Sequence, residues 1–198
     1  MNYLAHAYLS FGQQEILVGN MISDFVKGKT KFDYSPGIQN GIMLHRAIDE
    51  FTDSHPATKN AAAFFRPAYR LYSGAFVDIV YDHFLALDTN EFKTADDLQN
   101  FTAGVYKTLE EKLSLLPLRF QKIFPYMKQH NWLFNYQSAA GIEKSFGGLV
   151  YRAAYMHESA TAFAVFNKNY DELKESYSIF FPTLKKFAAH YLDDLLLA

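Results

Sequence analysis

The residues of this chain whose types and spacing could do chemistry form three groups within the first 85 positions. Asn20 and Asp24 stand four apart, as do His45 and Asp49, and Asp78, Asp82 and His83 complete the set. On a helix, positions four apart share a face. Adjacent positions point about 100° from each other, so Asp82 and His83 can still reach one ion lying between their directions. Imidazoles and carboxylates without any thiolate suit a borderline-to-hard divalent cation: Mn²⁺, Fe²⁺, Mg²⁺ or Zn²⁺. Such a cation can acidify a water and neutralise charge on a phosphoryl oxygen. Arg46, Arg66, Arg70 and Arg152 are candidates to hold a phosphate through bidentate contacts.

The helix carrying His45 gives these groups their weight. Its inward stripe reads Ile38, Ile42, His45, Asp49, Thr52, spaced as a face turned to a core. Halfway along, the stripe changes from apolar to imidazole and carboxylate. Buried ionisable groups are costly unless paired, hydrogen-bonded or metal-bound. A single His–Asp pair at this spacing is more often a structural hydrogen bond, and Arg66 and Arg70 alone read as a solvated face. Asp78 with Asp82 is harder to explain that way, because like charges one turn apart repel. Three polar interruptions on apolar helices in one short region favour a site.

The elements that must position these residues read as helices throughout. Short or amphipathic helices are expected over 2–10, carrying His6, and over 13–29, where Gly19 permits close helix approach. The next opens at Ser35-Pro36, a cap followed by proline in the first turn. Further helices are expected over 56–65, 67–87, 94–115, 118–128, 132–137, 139–156, 159–175 and 177–197, with a break near Pro182. Thr94 to Asp97 reads as a variant capping box. No convincing alternating strand run appears, so the class is all-α, one domain over 1–198.

Composition narrows the function. The chain of 198 residues is 49% hydrophobic and 17% aromatic, enough for one large core. A net charge of −2 argues against wholesale nucleic-acid binding, and the absence of Cys excludes disulfides and thiolate metal sites. No stretch reaches the ~18–20 apolar residues of a membrane span, and Met1 to His6 has no basic leader region. The expectation is a cytoplasmic protein.

Several motifs in series carry a resemblance: Met1-Asn-Tyr-Leu-Ala-His6, Gly19-Asn20-x-x-x-Asp24-Phe-Val-Lys-Gly28, Gly41-Ile-x-x-His45-Arg46-x-Ile48-Asp49, Thr52-Asp53 and Asp82-His83-Phe84-Leu85. In order and spacing the chain resembles the acyl carrier protein phosphodiesterase family, more loosely toward its end, where Gly148-Leu-Val-Tyr-Arg152 matches. The resemblance implies a helical fold related to metal-dependent HD-type phosphohydrolases, with Asp82-His83 in the reverse of the usual His-Asp order. It also implies hydrolysis of the phosphodiester joining 4′-phosphopantetheine to the serine of an acyl carrier protein, with Mn²⁺, Mg²⁺ or Fe²⁺. By position its motif residues are Asn2, His6, Asn20, Asp24, His45, Arg46, Asp49, Asp53, Asp82 and His83.

On these grounds Asp24, His45, Asp82 and His83 are expected as the inner metal shell. Asp49 would orient His45 or be a further ligand, and Asp78 would be a general base or ligand. Asn2, His6, Asn20, Arg46, Arg66, Arg70 and Arg152 are expected to contact substrate, with His6 or a water protonating the departing serine. Lys27, Lys29 and Lys31 offer positive charge to an acidic carrier. Two other readings are a nucleotide or small-phosphoester hydrolase, and a non-catalytic module that binds the carrier.

Overall fold

In the computed structural model, which describes residues 1–153 and 155–197, eleven α-helices and four short 3₁₀ turns pack without strands among the described residues. The helices are α1 (Tyr3–Tyr8), α2 (Gln14–Ile22), α3 (Pro36–Ser54), α4 (Pro56–Tyr69), α5 (Ser73–Ala86) and α6 (Ala95–Glu111). They continue as α7 (Leu118–Gln129), α8 (Trp132–Asn135), α9 (Ala139–Arg152), α10 (Ala160–Lys168) and α11 (Tyr170–Leu197). The all-α expectation is met.

The closest helix pair is α2 against α3, and glycine is the reason. A Cβ on Gly19 would run into the Ile38 carbonyl oxygen, and one on Gly41 into that of Ile16. With hydrogens there instead, the two backbones nearly touch, and Asn20, the next residue on α2, is pressed against His45. Packed against α1, α4, α9 and α11, helix α5 runs buried on almost all sides, from Phe76 to Ala86. Phe65, Phe76, Phe146 and Phe166 knit α4, α5, α9 and α10 into one aromatic core. Each such ring contributes roughly 1.5–3 kcal/mol by leaving water. The capping box forms as expected: the Thr94 hydroxyl accepts from the Asp97 amide at 3.2 Å, and the Thr94 amide donates to Asp97 at 2.9 Å.

Some boundaries differ from the sequence expectation. Helix α2 stops at Ile22 and passes into a 3₁₀ turn, Ser23–Phe25, so Asp24 lies on a turn. Pro67 does not divide α4 from α5. It lies inside α4 at the cost of one backbone donor, held by the buried Phe65 and Tyr69, and the true break is Arg70, at a positive φ of 48°. Likewise Pro182 lies inside α11, held by the buried Phe180, Phe181 and Leu184, while the break between α10 and α11 falls at Asn169. Helix α9 ends at Arg152, short of the expected 156, and residue 154 of that stretch lies outside the described residues.

Candidate metal centre

Helices α1, α2 and α3 bring His6, Asn20, His45 and Asp49 together. The ring of His6 stacks on that of His45 with centroids 3.8 Å apart and planes 14° from parallel. Asn20 fixes both rings. Its amide nitrogen donates to the His6 carbonyl at 2.8 Å and to Ser10 Oγ at 3.2 Å, which turns its Oδ1 toward His6 Nδ1 at 2.8 Å. Its own backbone carbonyl lies 2.7 Å from His45 Nδ1. Both acceptors are carbonyl-type oxygens, so each imidazole keeps a proton on Nδ1 and leaves Nε2 as the atom that faces the carboxylates.

Those two Nε2 atoms face carboxylates. His6 Nε2 is 3.1 Å from Asp49 Oδ1, and His45 Nε2 is 3.1 Å from Asp49 Oδ2 and 3.4 Å from Asp24 Oδ1. One ligand atom each from His6, His45 and Asp49 lies within 4.8 Å of the others. Lone pairs facing lone pairs require a cation between them, either a proton or a metal. His45 Nε2 is buried and has no properly directed hydrogen-bond partner, which an ion would supply. The donor set fits a divalent cation, and Asn20 orients both imidazoles as a ligand's supporting partner should.

The charges respond accordingly. Burial pushes the His45 imidazole down, but the Asp24 and Asp49 carboxylates more than reverse this, to about 9. Burial and the stacked His45 lower His6 to about 4. Burial works to raise Asp49, yet the two imidazoles hold it well below the usual carboxylate range. The neighbouring His45 imidazole lowers Asp24. Asp24, with 70% of its side chain exposed, marks where the cluster opens to solvent.

The other residues singled out in the sequence have different partners. In place of an inner shell of Asp24, His45, Asp82 and His83, the converging set is His6, His45 and Asp49 with Asp24. Asp82 is fully buried and takes the amides of Leu4 and Ala5, at 2.7 and 3.2 Å, capping the first turn of α1. Burial raises its carboxyl to about 7 against those two hydrogen bonds. His83, its neighbour, points away: Nδ1 meets the Tyr136 carbonyl at 2.6 Å and Nε2 the Tyr170 hydroxyl at 3.1 Å. Successive helix positions diverge by about 100°, and on a helix buried nearly all round each direction meets a different neighbour.

Asp78 pairs with the Met1 amino group at 3.1 Å, and the same amino group lies 3.4 Å from Asp49 Oδ1. Burial raises the Asp78 carboxyl, opposed by that amino group. Arg46 donates to the Val26 carbonyl at 3.1 Å and so ties α3 to the turn after Asp24. Arg66 and Arg70 line a separate groove with Lys59 and Asp53. Asn2 and Arg152 meet in a cleft at the start of α1, together with Tyr3. The sequence reading gave no role to Tyr3. The one available signal was the Asn2–His6 spacing, which puts the first turn of α1 beside the site.

Residues 1–184 match the model of a family described as acyl carrier protein phosphodiesterase. This chain belongs to that family. Relatives called acyl carrier protein phosphodiesterase include one from Serratia proteamaculans, 32% identical over 95% of this chain and 97% of its own length. Another, from Yersinia pestis, is 32% identical over 96% of this chain and 98% of its own. A third, from Yersinia enterocolitica, is 31% identical over 93% and 95%. No solved structure matches. The family is one of phosphoric diester hydrolases. No helix among the described residues is long and apolar enough to cross a membrane.

Proposed function

We propose that this chain hydrolyses the phosphodiester linking 4′-phosphopantetheine to the serine of holo acyl carrier protein, giving apo carrier and 4′-phosphopantetheine. The observation that carries the reading is the convergence of His6, His45 and Asp49, with both Nδ1 atoms committed to Asn20. Relatives named for this activity over almost their whole length support it.

A divalent ion, Mn²⁺ in this reading with Mg²⁺ or Fe²⁺ as alternatives, held by His6, His45, Asp49 and Asp24, would offset phosphoryl charge and acidify a water. The chain's own residues do the positioning. Asn20 fixes the two imidazoles, and Asp82 fixes the turn of α1 from which His6 projects. Asp78 helps hold the Met1 amino group against Asp49. With its imidazole near 4, His6 is neutral at pH 7 and serves as a ligand; it is not the acid for the departing serine. The Tyr3 phenol, raised by burial to about 12, keeps its proton and can donate to a phosphate oxygen. Arg152, whose charge opposes that rise, lies close enough to add a cation.

Lys27 and Lys29 are exposed on the turn that follows Asp24, with Lys31 half-buried beyond them. With the Lys59, Arg66 and Arg70 groove, they give an acidic carrier a favourable approach. A distant relation to HD-type phosphohydrolases and a cytoplasmic setting belong to the same proposal. The test is mass spectrometry of holo carrier protein incubated with the chain, with Mn²⁺ and with a chelator. Loss of the phosphopantetheine mass only with metal is expected. An unchanged holo mass beside rapid cleavage of free nucleotides would overturn the substrate and favour a small-phosphoester hydrolase.

A further inference from the structure

The cleft that begins at Asn2 and Tyr3 holds about 570 Å³, within the ~300–1,000 Å³ usual for small-molecule sites. Its floor is one face of α9: Gly141, Lys144, Ser145, Gly148 and Arg152, at the 3–4-residue recurrence of a single helix face with Lys144 and Ser145 side by side. Three of these five are small, so the floor is low, and two cations are set along it.

The two ends differ. At the inner end Arg152 acts on the Tyr3 phenol together with Asp24, and Tyr3 belongs to the turn that leads to His6. At the outer end a Cβ on Gly141 would strike the Asn135 carbonyl, and the Asn135 amide donates to the His130 carbonyl at 2.7 Å. The eleven helical steps from Gly141 to Arg152 advance ~16 Å at ~1.5 Å each.

We infer that this cleft receives the pantetheine arm of the substrate, phosphate at Arg152 and thiol toward His130. The inference rests on the phosphodiesterase reading and adds where the arm lies. An extended arm has about thirteen bonds from phosphorus to sulfur, roughly 16 Å at the ~1.2 Å per bond of an extended chain, which matches the floor. Its geminal methyl groups fit the apolar walls of Ile79 and Trp132. Its two amides and hydroxyl fit Gln129, Asn131 and Ser145, and the Asn131 Oδ1 is buried with no partner. Ile79, Trp132, Tyr3 and Tyr136 give the trench apolar surface among its polar side chains, and recognition there needs no charge on the arm beyond its phosphate.

The test uses two features of the chain. Trp132 is its single tryptophan, so its fluorescence reports on the cleft alone, and without any native cysteine an introduced one is the sole thiol. Titration with 4′-phosphopantetheine should change Trp132 fluorescence saturably. His130→Cys, at the outer lip, should react with the 2-pyridyl disulfide of pantetheine, forming the mixed disulfide and releasing pyridine-2-thione. That reaction should run at least tenfold faster than for Ser178→Cys on exposed α11, and excess phosphopantetheine should slow it. Ser145→Phe, which fills the trench, should raise the KM for holo carrier at least tenfold with helicity unchanged. A flat fluorescence titration, equal labelling of the two cysteines, or an unchanged KM in folded Ser145→Phe would each overturn the inference. Failure of the phosphodiesterase reading would appear separately, as wild-type chain leaving the holo mass intact in the presence of Mn²⁺.

Discussion

Two of the buried histidines, His45 and His83, lie close to an aspartate in sequence, and the structure uses them in opposite ways. His45, one turn from Asp49, has its Nδ1 satisfied by Asn20 and its Nε2 left facing carboxylates without a directed partner. His83, adjacent to Asp82, has both nitrogens occupied by the Tyr136 carbonyl and the Tyr170 hydroxyl, and Asp82 is spent on the amides of α1. One pair is an open donor set. The other is a structural clamp. The difference lies in what meets Nε2 from neighbouring helices: carboxylates that a cation can bridge at His45, a neutral hydroxyl at His83.

The contrast breaks most visibly by substitution at the two rings. His45→Ala should cost turnover more than the ~10–100-fold expected from losing a mere orienting partner, with helicity retained by circular dichroism. His83→Gln should leave kcat within a few-fold while lowering stability by about 1–3 kcal/mol, because it strands the Tyr136 carbonyl or the Tyr170 hydroxyl. If both variants lost kcat equally at full folding, the division into site and clamp would be wrong.

Next in size is the glycine contact that sets Asn20 against His45. Gly41→Ala should cost about 1–3 kcal/mol by overpacking, read as a Tm drop of roughly 2–12 °C for a chain of this length. Its metal affinity should fall too, as α2 is pushed from α3. A smaller, more selective effect is expected from Asn20→Ala. It frees the His6 ring but keeps the backbone carbonyl under His45, so metal affinity should weaken ~10–100-fold and added metal should restore the rate.

The smallest effect is a proton count. The carboxylates hold a proton on His45 to about 9, so a metal arriving near pH 7.5 must displace it, while His6, near 4, has none to give. Metal binding should therefore release close to one proton per ion there and tighten as pH rises toward 9. Calorimetry in buffers of different ionisation enthalpy measures this directly. Zero release would mean that His45 is neutral before the ion binds.

Much of this was legible in the residues themselves. The all-α class follows from apolar positions recurring every three or four residues and from the Ser35-Pro36 and Thr94–Asp97 start signals, because local geometry alone imposes that period. That Asn20, His45 and Asp49 stand on otherwise apolar helix faces, and that Asp24 stands out by its spacing from Asn20, could be read the same way. Whether Asp82 and His83 joined them could not. Spacing fixes the direction of a side chain from its own helix, but its partner depends on which helix packs there. Tertiary packing alone gave His83 to Tyr136 and Tyr170, turned Asp82 under the first turn of α1, and brought His6 against His45. It also carried α4 through Pro67 and α11 through Pro182, since burial of large side chains outweighs a single missing backbone hydrogen bond.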